Sequence, residues 1–155
     1  MNLSLNLLNK KSKIGVTIIA SLVVLTPLVA LAGNRFERQV AAQLMGVLDK
    51  ISNGGYRPSH DPVVNSLRDD SYRNGSISLD SGESYAIIGV CDEDCHDLDL
   101  HLYDGNGHLV DSDTSSDDTP IVQVSPRWSG SFRVKVSMPG CSDSPCYYGI
   151  GVFSR

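Results

Sequence analysis

From Ser76 to the end of the chain, apolar side chains fall on every second position, a spacing that an extended strand with one buried face satisfies and a helix does not. The cleanest example is Phe132, Val134, Val136 and Met138, with Arg133 and Lys135 turned the other way. Leu98, Leu100 and Leu102 repeat it, with Asp97, Asp99 and His101 on the opposite face. The pattern predicts strands over residues 76–79, 84–90, 98–103, 108–111, 121–124, 131–138 and 147–153. Turn formers separate them, among them Asp80-Ser81-Gly82, Asp104-Gly105-Asn106-Gly107 and Trp128-Ser129-Gly130. Short strands at this interval indicate an antiparallel sandwich or barrel.

The residues before Ser76 follow other rules. Lys10, Lys11 and Lys13 precede an apolar run from Ile14 to Leu31, and Ala30-Leu31-Ala32 fits a cut before Gly33. Residues 1–32 therefore read as a secretory signal, the alternative being a retained membrane anchor. Export predicts a secreted or periplasmic location, with no membrane contact after cleavage. Residues 33–55 read as an amphipathic helix. Phe36, Val40, Leu44, Val47, Leu48 and Ile51 form one stripe, Asn34 and Glu37 have the form of a capping box, and Asn53-Gly54-Gly55 stops the helix. Two uses of the stripe stand open: packing on the chain's own domain, or docking to a partner, including a second copy of the chain. Residues 56–75 are polar and carry Pro58 and Pro62, so they read as a linker with one short strand at 63–67.

Loss of the signal takes three of the 13 basic residues and none of the 18 acidic ones, leaving a net charge of −8. That balance argues against nucleic acid and anionic membranes as partners, both of which need a cationic surface. Cys91, Cys95, Cys141 and Cys146 form two close pairs, and an even count in an exported chain reads as disulfides. Four cysteines allow three connectivities. Local pairing is the simplest, since each pair brackets a turn. A zinc site built from these thiols and His96 is the alternative.

Between Asp92 and Asp118 the chain places ten carboxylates and no lysine or arginine. Such crowding needs solvent, distant basic groups or a cation. Calcium suits it chemically, because it takes six to eight oxygen ligands in flexible geometry. The candidate ligands are Asp92, Asp94, Asp97, Asp99 and Asp113. No EF-hand fits: counting from Asp111, Ser116 stands where glycine is needed and Val122 where a bidentate glutamate is needed. The competing account is a solvated acidic face whose aspartates and serines make turns.

Several of these segments together resemble a known family. Gly82 with Tyr85, Asp97 with Asp99 and Leu100, Asp104 with Gly107, and Gly130 with Phe132, Val134 and Val136 resemble the motifs of the bacterial pre-peptidase C-terminal domain. The match spans roughly residues 76–153. It is also similar to small exported bacterial proteins in which such a domain stands almost alone. The resemblance implies a jelly-roll-like β-sandwich for residues 76–155. It further implies an accessory role, since such domains usually follow secreted peptidases and some relatives bind calcium or insoluble polymers.

Nothing in the sequence marks an enzyme. It lacks a G-x-S-x-G elbow, an H-E-x-x-H pair and a phosphate-binding glycine loop. His60-Asp61 reads as a local pair in a proline-rich loop. Trp128, Tyr147 and Tyr148 could stack on a sugar, although Tyr148 shares strand parity with Ile150 and Val152, which favours the core. The expectation is a non-catalytic binding or structural module for a protein or polysaccharide. The alternatives are an interaction subunit working through its helix, or a small hydrolase using Asp97 and Asp99.

Overall fold

A computed structural model describes residues 33–155; the expected signal, residues 1–32, lies outside them. Helix α1 (Arg35–Ser52) precedes nine strands: β1 (Arg57–Pro58), β2 (Val63–Leu67), β3 (Ser71–Leu79), β4 (Tyr85–Cys91), β5 (Cys95–Tyr103), β6 (Leu109–Asp113), β7 (Ile121–Val124), β8 (Gly130–Cys141) and β9 (Cys146–Ser154). They form two antiparallel sheets. The first runs β1-β9-β4-β7, with β2 also paired to β9, and the second runs β3-β8-β5-β6. The antiparallel sandwich with one helix is thus the fold of the described residues.

The core lies between the sheets. Leu98, Leu100 and Leu102 of β5 are fully buried there, facing Tyr148 and Val152 of β9 and Ile87 of β4 across the gap. The leucine face of β5 points inward, as its alternation requires.

Strand β4 is buried along its whole length because it is covered twice. Tyr85, Ile87 and Cys91 face the sandwich core, while Ala86, Ile88 and Val90 face the helix. The helix begins at Asn34, whose side chain accepts the Glu37 amide while the Glu37 carboxylate accepts the Asn34 amide. Both orphan donors are thereby satisfied. Val40 and Leu44 are buried against Val90, Phe36 stacks on Tyr147, and Val47, Leu48 and Ile51 pack around Ala86, Ile88 and Phe153. Each fully buried aliphatic side chain of this kind contributes about 1.5–3 kcal/mol. The stripe is occupied by the chain's own sheet. The docking-helix and helix-dimer readings therefore lose the surface they relied on.

One further expectation is corrected. Residues 56–75 contain β1, β2 and the first half of β3 rather than a linker with one strand. Ser71 to Gly75 pair with Met138 to Val134 along the sheet edge. Their inward positions hold Arg73 and Gly75 instead of core residues, so no alternation of hydrophobicity marks them as a strand.

Candidate functional site

Two disulfides form, Cys91–Cys95 and Cys141–Cys146, and no cysteine among the described residues is free. The pairing is the local one, and it consumes the thiols that a zinc site would need. Cys95 pairs with Cys141 in the β5–β8 ladder, so the two stapled turns lie side by side. The Asp94 carbonyl joins them by accepting both the amide and the hydroxyl of Ser142.

The five expected calcium ligands do three different jobs. Asp92 is 2% exposed, and its Oδ2 accepts the Tyr147 amide at 2.7 Å. Burial raises its carboxyl above the usual range, and the Tyr147, Asp94 and Cys95 amides offset part of that. Its Oδ1 is buried without a hydrogen-bond partner. Asp92 pins the cysteine turn to β9, while Asp94 serves through its backbone. Asp113 spends both oxygens on the protein: Oδ1 accepts the Ser115 amide and hydroxyl, and Oδ2 accepts the Ile121 amide. The Ser115 hydroxyl and the Ile121 amide hold its carboxyl below the usual range. Asp97 and Asp99 keep the outward position expected of them, and both are half-buried. Among the described residues, no three acidic, histidine or cysteine side chains converge as a metal-binding set.

Asp97 and Asp99 sit on the outer face of the second sheet. His101 lies opposite Lys135 and Tyr103 opposite Arg133, with Asn74 and Ser76 of β3 next in the same rows. The Arg133 guanidinium covers the Tyr103 ring at 4.0 Å and the Lys135 ammonium covers the Tyr72 ring at 4.7 Å. His101 stacks on Tyr103, its neighbour along the same face of β5, with 6.2 Å between ring centroids. Arg133 also donates to the Asn74 side-chain Oδ1. The sequence marked Arg133 and Lys135 as outward-facing, yet their aromatic partners come from other strands and carry no local signal.

Burial raises the Asp97 and Asp99 carboxyls, with nearby Asp117 adding to the first and Asp97 itself to the second. His101 and Lys135 partly offset this at Asp99. One Asp97 oxygen is buried without a partner. The ionised Asp97 therefore costs stability. A carboxyl with a raised folded value gives its stabilisation below the unfolded value of 3.8, and that stabilisation is lost as pH rises through the folded value. Asp97→Asn is thus expected to stabilise the domain at neutral pH, on the order of 0.5 kcal/mol for a half-exposed charge. The gain should vanish as pH falls through the carboxyl's titration. Paired melting curves at neutral and acid pH check this, and a destabilised variant at neutral pH contradicts it.

The remaining candidates scatter. Tyr148 is in the core, Tyr147 lies under the helix, and Trp128 is exposed at a turn, so they form no sugar platform. His60 does not pair with Asp61; its ring nitrogens meet the Ser59 hydroxyl and the Ser78 carbonyl, each at 3.0 Å.

No protein-family model matches the sequence, and no curated protein matches it. Among solved structures, the chain is similar to the pre-peptidase C-terminal domain of a collagenase from Bacillus anthracis, with a TM-score of 0.48 and 10% identity, over 59% of this chain and 87% of that one. It is also similar to PliG of Aeromonas hydrophila, a periplasmic inhibitor of g-type lysozyme, with a TM-score of 0.45 and 9% identity, over 61% and 85%. The first is the kind of domain whose motifs the β4, β5 and β8 segments resemble.

Proposed function

We propose that the protein is an exported, non-catalytic binding module that receives a protein partner on the outer face of its second sheet. One observation carries this reading: the first sheet hides its outer face beneath the helix, whereas no described residue covers the second. That open face presents Tyr72, Tyr103, His101, Arg133, Lys135 and Asp99 in adjacent rows. Tyrosine and arginine are the side chains that protein interfaces favour. A polysaccharide would need bare ring faces for stacking, and here cationic heads already cover both tyrosines. The disulfides support export, since such bonds persist in oxidising compartments. The hydrolase alternative gains no support from Asp97 and Asp99, which occupy an open sheet face rather than a cleft.

The test is site-specific crosslinking in the native host. A photo-crosslinking amino acid at Ser76 or Ser112, both exposed on β3 and β6, is expected to trap one discrete protein. The same group at Met45, on the solvent side of the helix, is expected to trap none. Arg133→Glu should abolish the product. Equal trapping from Met45, or none from the sheet, would sink the reading.

A further inference from the structure

Where β2 and β3 face each other, the two sheets fail to close. They leave a cavity of about 390 Å³, within the roughly 300–1,000 Å³ typical of small-ligand sites. Its walls are apolar on both sides, Tyr148, Ile150 and Val152 from β9 against Val134, Val136 and Ile77 from the second sheet. The gap has an identifiable cause. Gly75 occupies an inward register position opposite Val134 and contributes no side chain, and a Cβ built there meets nothing within 4 Å.

Two groups make the cavity more than a packing defect. Tyr148 lines the cavity and brings a phenolic hydroxyl, a hydrogen-bond donor, to an otherwise apolar wall. Arg73, two residues before Gly75 on the same face of β3, lines the mouth. No carboxylate among the described residues pairs with it, and its charge acts on the Tyr148 hydroxyl. Both are hydrogen-bond donors that an acceptor on a guest can engage. His60 also lines the cavity, but both its ring nitrogens are engaged. Asp61 is the one carboxylate at the rim, and it is exposed to water.

We infer that this cleft binds a single-chain amphiphile with an anionic head, its acyl tail between the valines of β8 and the aliphatic residues of β9, its carboxylate held by Arg73 and the Tyr148 hydroxyl. A carboxylate offers an acceptor to both donors and a counter-charge to Arg73, which has no carboxylate partner among the described residues. Charge-assisted bonds of this kind are the strong ones. The site is separate from the open sheet face and does not depend on it.

The test uses the full chain expressed for export, with dodecanoate as probe, below its micelle concentration, by calorimetry and thermal melting. Dodecanoate is expected to bind at one site per chain and raise Tm, because a ligand of the folded state must stabilise it. Dodecyltrimethylammonium, with the same tail and opposite charge, should bind at least tenfold more weakly, the order of one charge-assisted hydrogen bond. Arg73→Gln should weaken dodecanoate by about the same factor, and Asp61→Asn should tighten it. Gly75→Leu fills the gap and should abolish binding while leaving a cooperative melt. If that variant does not fold, Arg73→Gln decides alone. Preference for the ammonium amphiphile, or unchanged affinity in Arg73→Gln, overturns the proposal. Retention of anionic phospholipid vesicles by the protein also overturns it, since that would make the cleft a bilayer contact rather than a pocket for a free amphiphile.

Discussion

Gly149→Val is expected to loosen the docking of helix α1 on the sandwich while leaving the two sheets paired. Gly149 lies on β9 beneath the helix, and a Cβ built there would stand 2.5 Å from Val40 Cγ1 and 2.9 Å from Leu44 Cδ1. Those are the two most buried residues of the helix, 0% and 6% exposed, so neither can swing into solvent without giving up its burial. Overpacking a filled core costs about 1–3 kcal/mol and occasionally more, and valine adds two methyls beyond the Cβ. Detaching the helix instead uncovers Val40, Leu44, Val90 and Ile88, at a similar cost for each side chain. Strain is the smaller of the two costs, so the docking is weakened by roughly 3 kcal/mol and the helix opens correspondingly more often. Amide hydrogen exchange separates local from global loss: the helix amides should lose protection while those of β5 and β8 keep theirs. The double variant Gly149→Ala with Val40→Ala should recover much of what Gly149→Ala alone loses, because the second change vacates the space that the first fills. A Gly149→Val chain with parental stability and a protected helix would show that the contact does not govern the docking.

This glycine also shows what a single sequence can and cannot reveal. The helix stripe was legible, as were the strands whose inner face is uniformly apolar, because burial on one side imposes a period. The continuous run Tyr85-Ala86-Ile87-Ile88 was legible as a strand, but its reason, coverage by the core on one side and the helix on the other, required the assembled layers. The first half of β3 was missed because Arg73 and Gly75 stand at its inward positions and border a cavity. Where packing is absent, so is the pattern that packing imposes. The acidic run was legible as important, but the partners of its carboxylates were not. Asp92 and Asp113 meet amides 55 and 8 residues away, partners that no local spacing discloses. Asp111-Ser112-Asp113 did carry one usable signal. Alternate carboxylates on a short edge strand point to the same side and can reach a neighbouring row of amides.

That reach underlies the second large effect. The Asp111→Ala/Asp113→Ala double variant is expected to lose roughly 2–4 kcal/mol, because the two carboxylates close one edge of the sandwich. Strand β7 pairs with β4 along one side only, which would leave the amides of its other side without strand partners. Asp111 Oδ2 accepts the Gln123 amide at 2.7 Å, and Asp113 Oδ2 accepts the Ile121 amide at 2.9 Å. These bonds cross from β6 in one sheet to β7 in the other, so they substitute for a missing strand and cover an edge that could otherwise pair with another chain. Bonds to a charged acceptor are worth about 1.5–3 kcal/mol each, and the sum is reduced because freed amides at the edge can reach water. The Asn/Asn variant keeps one carbonyl acceptor at each position and should lose less than the alanine pair. The pH dependence gives an independent check. The Asp113 carboxyl titrates below the unfolded value of 3.8, so its contribution is present above that value and is lost as pH falls through the lower folded value. Melting curves of the parent and the alanine pair should therefore differ widely at neutral pH and draw together in acid. A gap that stays constant across that range would mean the two side chains act by packing, and the carboxylate latch between the sheets would have to be abandoned.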